Sequence, residues 1–146
     1  MDVSLRPAVP EDFDFLHGLN RTTMREYVVE TWGRWDERWQ EEHHRRHFRT
    51  AGCRIIVHEG EDVGLLASDK TDTVLVIASI QLLPSHQGRG IGTLLTKALL
   101  GEARDEGKPV TLQVLKVNGR ARQLYERLGF SSVEETDTHY VMNATP

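Results

Sequence analysis

Apolar and polar positions along the chain change their period several times, and each change marks an element. Val3-Ser4-Leu5-Arg6 alternates as a short strand does, and Pro10-Glu11-Asp12 then opens a helix with a proline and two acids in its first turn, running to about Val29. Thr31-Trp32-Gly33 breaks that pattern, and Asp36 to Thr50 reads as a second helix crowded with charge and histidine. From Arg54 the signal turns to strand. Arg54 to His58 is followed by a turn at Glu59-Gly60-Glu61-Asp62 and by Val63 to Ala67 as hairpin partner. Val74 to Leu83 is an almost unbroken apolar run, which predicts a central strand covered on both faces. Ile91, Leu94, Leu95, Ala98, Leu99 and Ala103 fall at helical spacing before Gly107, and Pro109 to Val117 alternates again. Ala121, Leu124, Tyr125 and Leu128 make a further helical stripe closed by Gly129, and strands near Ser131–Glu135 and His139–Ala144 complete the order. Strands before and after a βαβα core predict an α/β (α+β) fold, a mixed sheet with helices on both faces.

Length and charge narrow this picture. A chain of 146 residues fits one domain, and neither a repeat nor a Pro/Gly/Ser linker divides it. The lone Cys53 forms no internal disulfide and completes no zinc motif, which points to a reducing interior. Met1 to Pro10 holds Asp2, Arg6 and two prolines with no apolar run, so it reads as neither signal peptide nor anchor, and a cytoplasmic protein is expected. With 18 Lys+Arg against 22 Asp+Glu the net charge is -4, which gives no broad electrostatic reason to bind nucleic acid or membrane.

The stretch that carries chemistry is Leu82-Leu83-Pro84-Ser85-His86-Gln87-Gly88-Arg89-Gly90-Ile91-Gly92-Thr93, between the apolar strand and an amphipathic helix. Glycines at alternate positions let the backbone turn sharply with its N–H groups inward, and the new helix adds its positive end. This is a phosphate cradle, with Arg89 as a cation at its rim; in isolation, Gln87 and Arg89 also read as surface loop residues. A Walker loop needs Lys followed by Ser or Thr after its last glycine, and Gly92 is followed by Thr93-Leu94. The 88/90/92 spacing also departs from G-x-G-x-x-G, so a dinucleotide site ranks below the reading that follows.

Gln87, Gly90 and Gly92, with Pro84 three residues before Gln87, resemble motif A (Q/R-x-x-G-x-G/A) of the GCN5-related N-acetyltransferase (GNAT) superfamily. Asn118, Ala121, Leu124, Tyr125, Gly129 and Phe130 resemble its second signature. The resemblance covers residues 54–144 well and the first 50 in general layout. It implies a mostly antiparallel sheet of about six to seven strands, splayed between its two central strands. One domain is implied over residues 1–146, with acceptor-side helices in 1–50 and an acetyl-coenzyme A core in 54–144. It further implies that the backbones of Ile80, Gln81 and Leu82 bond pantetheine and that Gln87, Gly88, Arg89, Gly90, Ile91, Gly92 and Thr93 hold the pyrophosphate. The Leu82 N–H would face an oxyanion. Asn118 is implied as a coenzyme ligand, and equally reads as a helix N-cap. Tyr125 resembles the family's general acid and coenzyme contact, protonating a departing thiolate; its place on the Ala121–Leu128 stripe reads equally as core.

The implied activity is transfer of acetyl to a primary amine of a small molecule or peptide, by direct attack in a ternary complex; a homodimer is compatible with it. Two other readings stay open: a non-catalytic coenzyme A-binding sensor or interaction module, and a nucleotide-binding domain of another kind. No base is assigned, because Val74 to Leu83 has no acid and Gln113 stands where some relatives carry Glu. Glu30 is the candidate. In the family the acceptor pocket is built by the segment matching Met24 to Trp39, where Glu26, Tyr27, Glu30, Trp32, Trp35 and Asp36 set carboxylates beside aromatic faces, a combination suited to a cationic amine. A solvated helix with tryptophans pinned to the core explains the same residues. His43, His44 and His47 sit among Glu41, Glu42, Arg45 and Arg46 and read as an exposed polar helix, so no metal is expected. His58, His86 and His139 read as isolated.

Overall fold

A computed structural model describes residues 2–146. Its strands are β1 (Val3–Pro7), β2 (Cys53–His58), β3 (Glu61–Lys70), β4 (Leu75–Leu82), β5 (Val110–Leu115), β6 (Ser131–Glu135) and β7 (His139–Ala144). Its helices are α1 (Phe13–Trp32), α2 (Glu37–His47), α3 (Ile91–Asp105) and α4 (Gly119–Arg127). The strands form one seven-stranded sheet in the order β1-β2-β3-β4-β5-β7-β6. The β1–β2, β2–β3, β5–β7 and β6–β7 registers are antiparallel and the β4–β5 register is parallel, so the sheet is mixed and mostly antiparallel.

The chain divides into two compact units, Met1–Ala67 with Ser79–Arg89, and Ser68–Ala78 with Gly90–Pro146. In the first unit, Ile55 and Ile56 are both fully buried although their side chains point to opposite faces, so this part of β2 is covered on both sides. Each contributes about 2–3 kcal/mol of burial. Ala8, Leu16, Leu19 and Ile55 form its core, with Phe48 and Leu65 packed against them. Arg6 ties three segments together, donating to Asp12 at 2.9 Å and to Asp62 at 2.8 Å, while Asp12 also accepts from the Val9 N–H. Gly64 on β3 marks a close backbone approach to β4, since a Cβ there would run into the Gln81 carbonyl oxygen.

In the second unit β5 pairs with β7 along its whole length and β7 with β6, which forms the exposed end of the order. The β4–β5 register covers Leu75↔Val110, Val76↔Thr111 and Ile77↔Leu112 and goes no further. The expectation that the Val74–Leu83 strand is covered on both faces is therefore corrected. Leu75 and Ile77 are buried, but Ala78 is exposed and Ser79–Leu82 only partly buried. Among the described residues no helix is long and apolar enough to cross a membrane.

Candidate functional site

The loop ahead of α3 has the local geometry that its glycines predict. Gly88 (φ 75°) and Gly90 (φ 83°) both lie in the left-handed region, which other residues enter only with strain. Gly90 is the N-cap of α3, and no side chain caps that helix. The N–H groups of Ile91, Gly92 and Thr93 have no acceptor within the helix, and no acid stands in the first turn. At α4, by contrast, Asn118 Oδ1 takes the Ala121 N–H at 3.1 Å. A Cβ on Gly92 would meet only Leu124 Cδ2 at 3.9 Å, so packing does not demand glycine there; its absence leaves the helix end bare. Gln87 folds back, its Nε2 donating to the Leu82 carbonyl at 2.9 Å, and Arg89 is exposed.

Tyr125 lies on α4, partly buried and packed edge-on against Phe130 at 5.5 Å. Burial pushes its hydroxyl pKa up, so the phenol keeps its proton across the neutral range. Asn118 is the N-cap of the same helix.

The first unit holds a cavity of about 260 Å³. Phe13 and Leu16 of α1, Phe48 and Leu65 form its apolar wall, and His17, Asn20, His44 and Gln81 its polar one; Cys53, His43, His47 and Arg49 complete the lining. The polar wall is one hydrogen-bond chain. Glu37, held down to about 2 by the Trp35 indole and then by His17 and Arg21, is an acceptor only. His17 Nε2 therefore donates to Glu37 Oε1 at 3.0 Å, which leaves His17 Nδ1 to accept from His44 Nδ1 at 2.8 Å. His44 Nε2 then accepts from Asn20 Nδ2 at 3.0 Å, and Asn20 Oδ1 from Gln81 Nε2 at 3.1 Å. Assigned from this network, His44 is neutral with its proton on Nδ1. Desolvation, followed by the nearby His17 and His43, depresses the His44 pKa and favours that state. The chain ends at Gln81 Oε1, which is buried without a partner.

A family model described as the acetyltransferase (GNAT) family matches residues 18–130. The chain belongs to that family. The ribosomal protein bS18-alanine N-acetyltransferase of Haemophilus influenzae is 25% identical over 85 residues, 58% of either chain. Streptothricin acetyltransferase of Streptomyces lavendulae is 38% identical over 58 residues, 39% of this chain and 31% of that one. The matched stretches thus span less than two thirds of these relatives. Among solved structures, PaiA N-acetyltransferase from Thermoplasma acidophilum in complex with coenzyme A superposes with a TM-score of 0.79 at 15% identity over 100% of both chains. The ribosomal-protein-S18-alanine N-acetyltransferase from Escherichia coli gives 0.67 at 17% identity over 98% of this chain and 93% of that one. At these identities the likeness is one of fold.

Within this GNAT chain, the acceptor-side residues expected from sequence are spread along α1 and beyond. Glu26 and Glu30 are exposed, Tyr27 is half-buried, Trp32 is 56% exposed, and Trp35 donates to Glu37 Oε2 at 2.7 Å. The cavity lies elsewhere, against His17 and His44. Two sequence expectations are corrected. His58 and His86 are not isolated, their Nδ1 atoms lying 3.0 Å apart. The second helix is not uniformly exposed, because its His44 turns inward to His17 while His43 stacks on Trp39. Sequence reading missed His17 and Asn20. Their spacing of three on one helix face was the available signal, but it needed His44 and Gln81 from distant segments to acquire meaning. Among the described residues no group of His, Cys, Asp or Glu could hold a metal ion.

Proposed function

We propose that the chain is an acetyl-coenzyme A-dependent N-acetyltransferase that passes acetyl to a primary amine by direct attack in a ternary complex, with residues 1–146 as one catalytic domain. The observation that carries this reading is the uncapped, acid-free N-terminus of α3, entered through two left-handed glycines and kept bare at Gly92. These residues fit a diphosphate. Amides at positions 91–93 would donate hydrogen bonds to its oxygens, and the positive end of a 15-residue helix favours the charge. Arg89 would add an exposed cation, and the Gln87 carboxamide keeps an oxygen and one N–H beyond its bond to Leu82.

Acetyl-coenzyme A, when bound, supplies an activated acetyl thioester. The chain's part is to position it and to manage protons. The backbone of Ile80–Leu82, at the end of β4, would offer groups to an extended ligand arm. Tyr125 keeps its proton at Oη across the neutral range and would donate it to the thiolate as that group departs. Glu30 on α1 is the proposed base for the amine, exposed and so able to pass a proton through water. Thiol release from acetyl-coenzyme A across polyamines, aminoglycosides, amino acids and short peptides tests the proposal. Release with one class supports transfer, and coenzyme binding with no release for any class would support a non-catalytic sensor instead.

A further inference from the structure

The cavity of the first unit has a chemistry of its own, distinct from the carboxylate-and-aromatic site that the sequence suggested. Its polar wall runs one way: Gln81 donates to Asn20, Asn20 to His44, His44 to His17, and His17 to Glu37. Gln81 Nε2 is committed to Asn20, so the carboxamide cannot turn to satisfy its oxygen without breaking the chain. Oε1 is thereby left a buried acceptor with no hydrogen-bond partner among the described residues.

The lining contains no Asp or Glu, while Arg49, His43 and His47 stand on its α2 side. The remaining charges nearby do not alter this balance. Glu37 is covered by Arg21 and Trp35, and Arg45 lies over the Phe13 ring at 4.3 Å with Glu41 as its partner. A ligand of net positive charge finds no counter-ion here, whereas a carboxylate finds an exposed guanidinium at Arg49. Phe13, Leu16, Phe48 and Leu65 leave an apolar face for a hydrocarbon group. At about 260 Å³ the space lies just below the range of drug-sized sites, which fits a single small metabolite.

We propose that this cavity binds a small apolar amino acid, its amine at the Gln81–Asn20 end of the polar wall, its carboxylate at Arg49 and its side chain against the Phe13–Phe48 wall. That this ligand is also the acetyl acceptor rests on the transferase reading; its binding does not.

The test is titration of the ¹⁵N-labelled full chain with L-leucine and L-phenylalanine, beside L-leucinamide, which lacks the carboxylate, and 4-methylpentanoate, which lacks the amine. Either amino acid should shift the side-chain amide signals of Gln81 and Asn20 and saturate by about 10 mM, with both truncated analogues at least about tenfold weaker. Gln81→Met, similar in shape but unable to accept strongly, should lose binding while its spectrum stays dispersed. Arg49→Gln, at an exposed position, should weaken the amino acids at least about fivefold and leave L-leucinamide unchanged. The proposal is overturned if neither amino acid shifts these signals, if L-leucinamide binds as well as L-leucine, or if Gln81→Met binds like the parent. A separate titration with coenzyme A keeps the two readings apart. Coenzyme binding without amino-acid binding overturns this site alone, and the reverse overturns the transferase reading alone.

Discussion

Replacing Gly64 by alanine sets a single methyl group against the backbone of β4. That methyl would collide with the Gln81 carbonyl oxygen and would also meet Leu82 Cδ2 at 3.0 Å and Ile56 Cδ1 at 3.2 Å. Side-chain ends can give way by a few tenths of an ångström, but a strand carbonyl cannot move without carrying its neighbours. Overpacking of this kind costs up to about 3 kcal/mol, and the backbone obstacle places Gly64→Ala at that upper end. A domain of this size loses about 3–4 °C of Tm per kcal/mol, so a fall of about 10 °C is expected. Gly101→Ala supplies the internal control, because the same methyl inside α3 meets nothing within 4 Å. It should gain about 0.5–1 kcal/mol from reduced backbone freedom in the unfolded chain. Urea and thermal unfolding of both variants read the pair. A Gly64→Ala protein as stable as the parent, or a Gly101→Ala protein equally damaged, would refute the close approach of β3 to β4.

Tyr125→Phe should lower thiol release by about a hundredfold or more while coenzyme A affinity stays within about twofold, because the phenol's contribution is a proton rather than packing area; equal losses in rate and affinity would return Tyr125 to a packing role. Arg89→Gln should weaken coenzyme A about five- to tenfold at low salt and less in high salt, read by calorimetry at two ionic strengths, since an exposed cation acts through a screened field. Stability should fall on acidification in two stages. The His44 pKa is depressed below its ordinary 6.5, so its contribution is complete above that value and is lost as pH falls through the lower folded one. Glu37, at about 2 against 4.5, follows the same sign and loses its share as pH drops below about 4.5. Urea midpoints between pH 8 and pH 5 should decline in the parent and decline less in His44→Gln; a flat parent profile would remove the neutral-imidazole assignment.

The sequence made the loop ahead of α3 legible because its backbone geometry is local. Gly88 and Gly90 needed left-handed backbone, and two glycines before a helical stripe say so without any tertiary knowledge. Element boundaries were less visible where turns were tighter than their composition implied. Glu59 (φ 53°) and Gly60 (φ 81°) close the first hairpin in two residues, so β3 begins at Glu61 rather than after a four-residue turn. β3 also continues to Lys70 through polar residues with no apolar alternation, its end held by Lys70 donating to Glu102 and Glu106. The cavity was illegible for a different reason. Glu37, His17, His44, Asn20 and Gln81 become one chain only when β4 passes beneath α1 and α2, and no spacing within a segment encodes that meeting.

Isothermal calorimetry of coenzyme A beside pantetheine, which lacks the diphosphate, is the most direct trial of the cradle. Dissociation in the micromolar range for coenzyme A, with pantetheine at least about a hundredfold weaker, is the expected result. Equal affinities, or no heat with coenzyme A, would contradict a diphosphate seat at the amides that open α3.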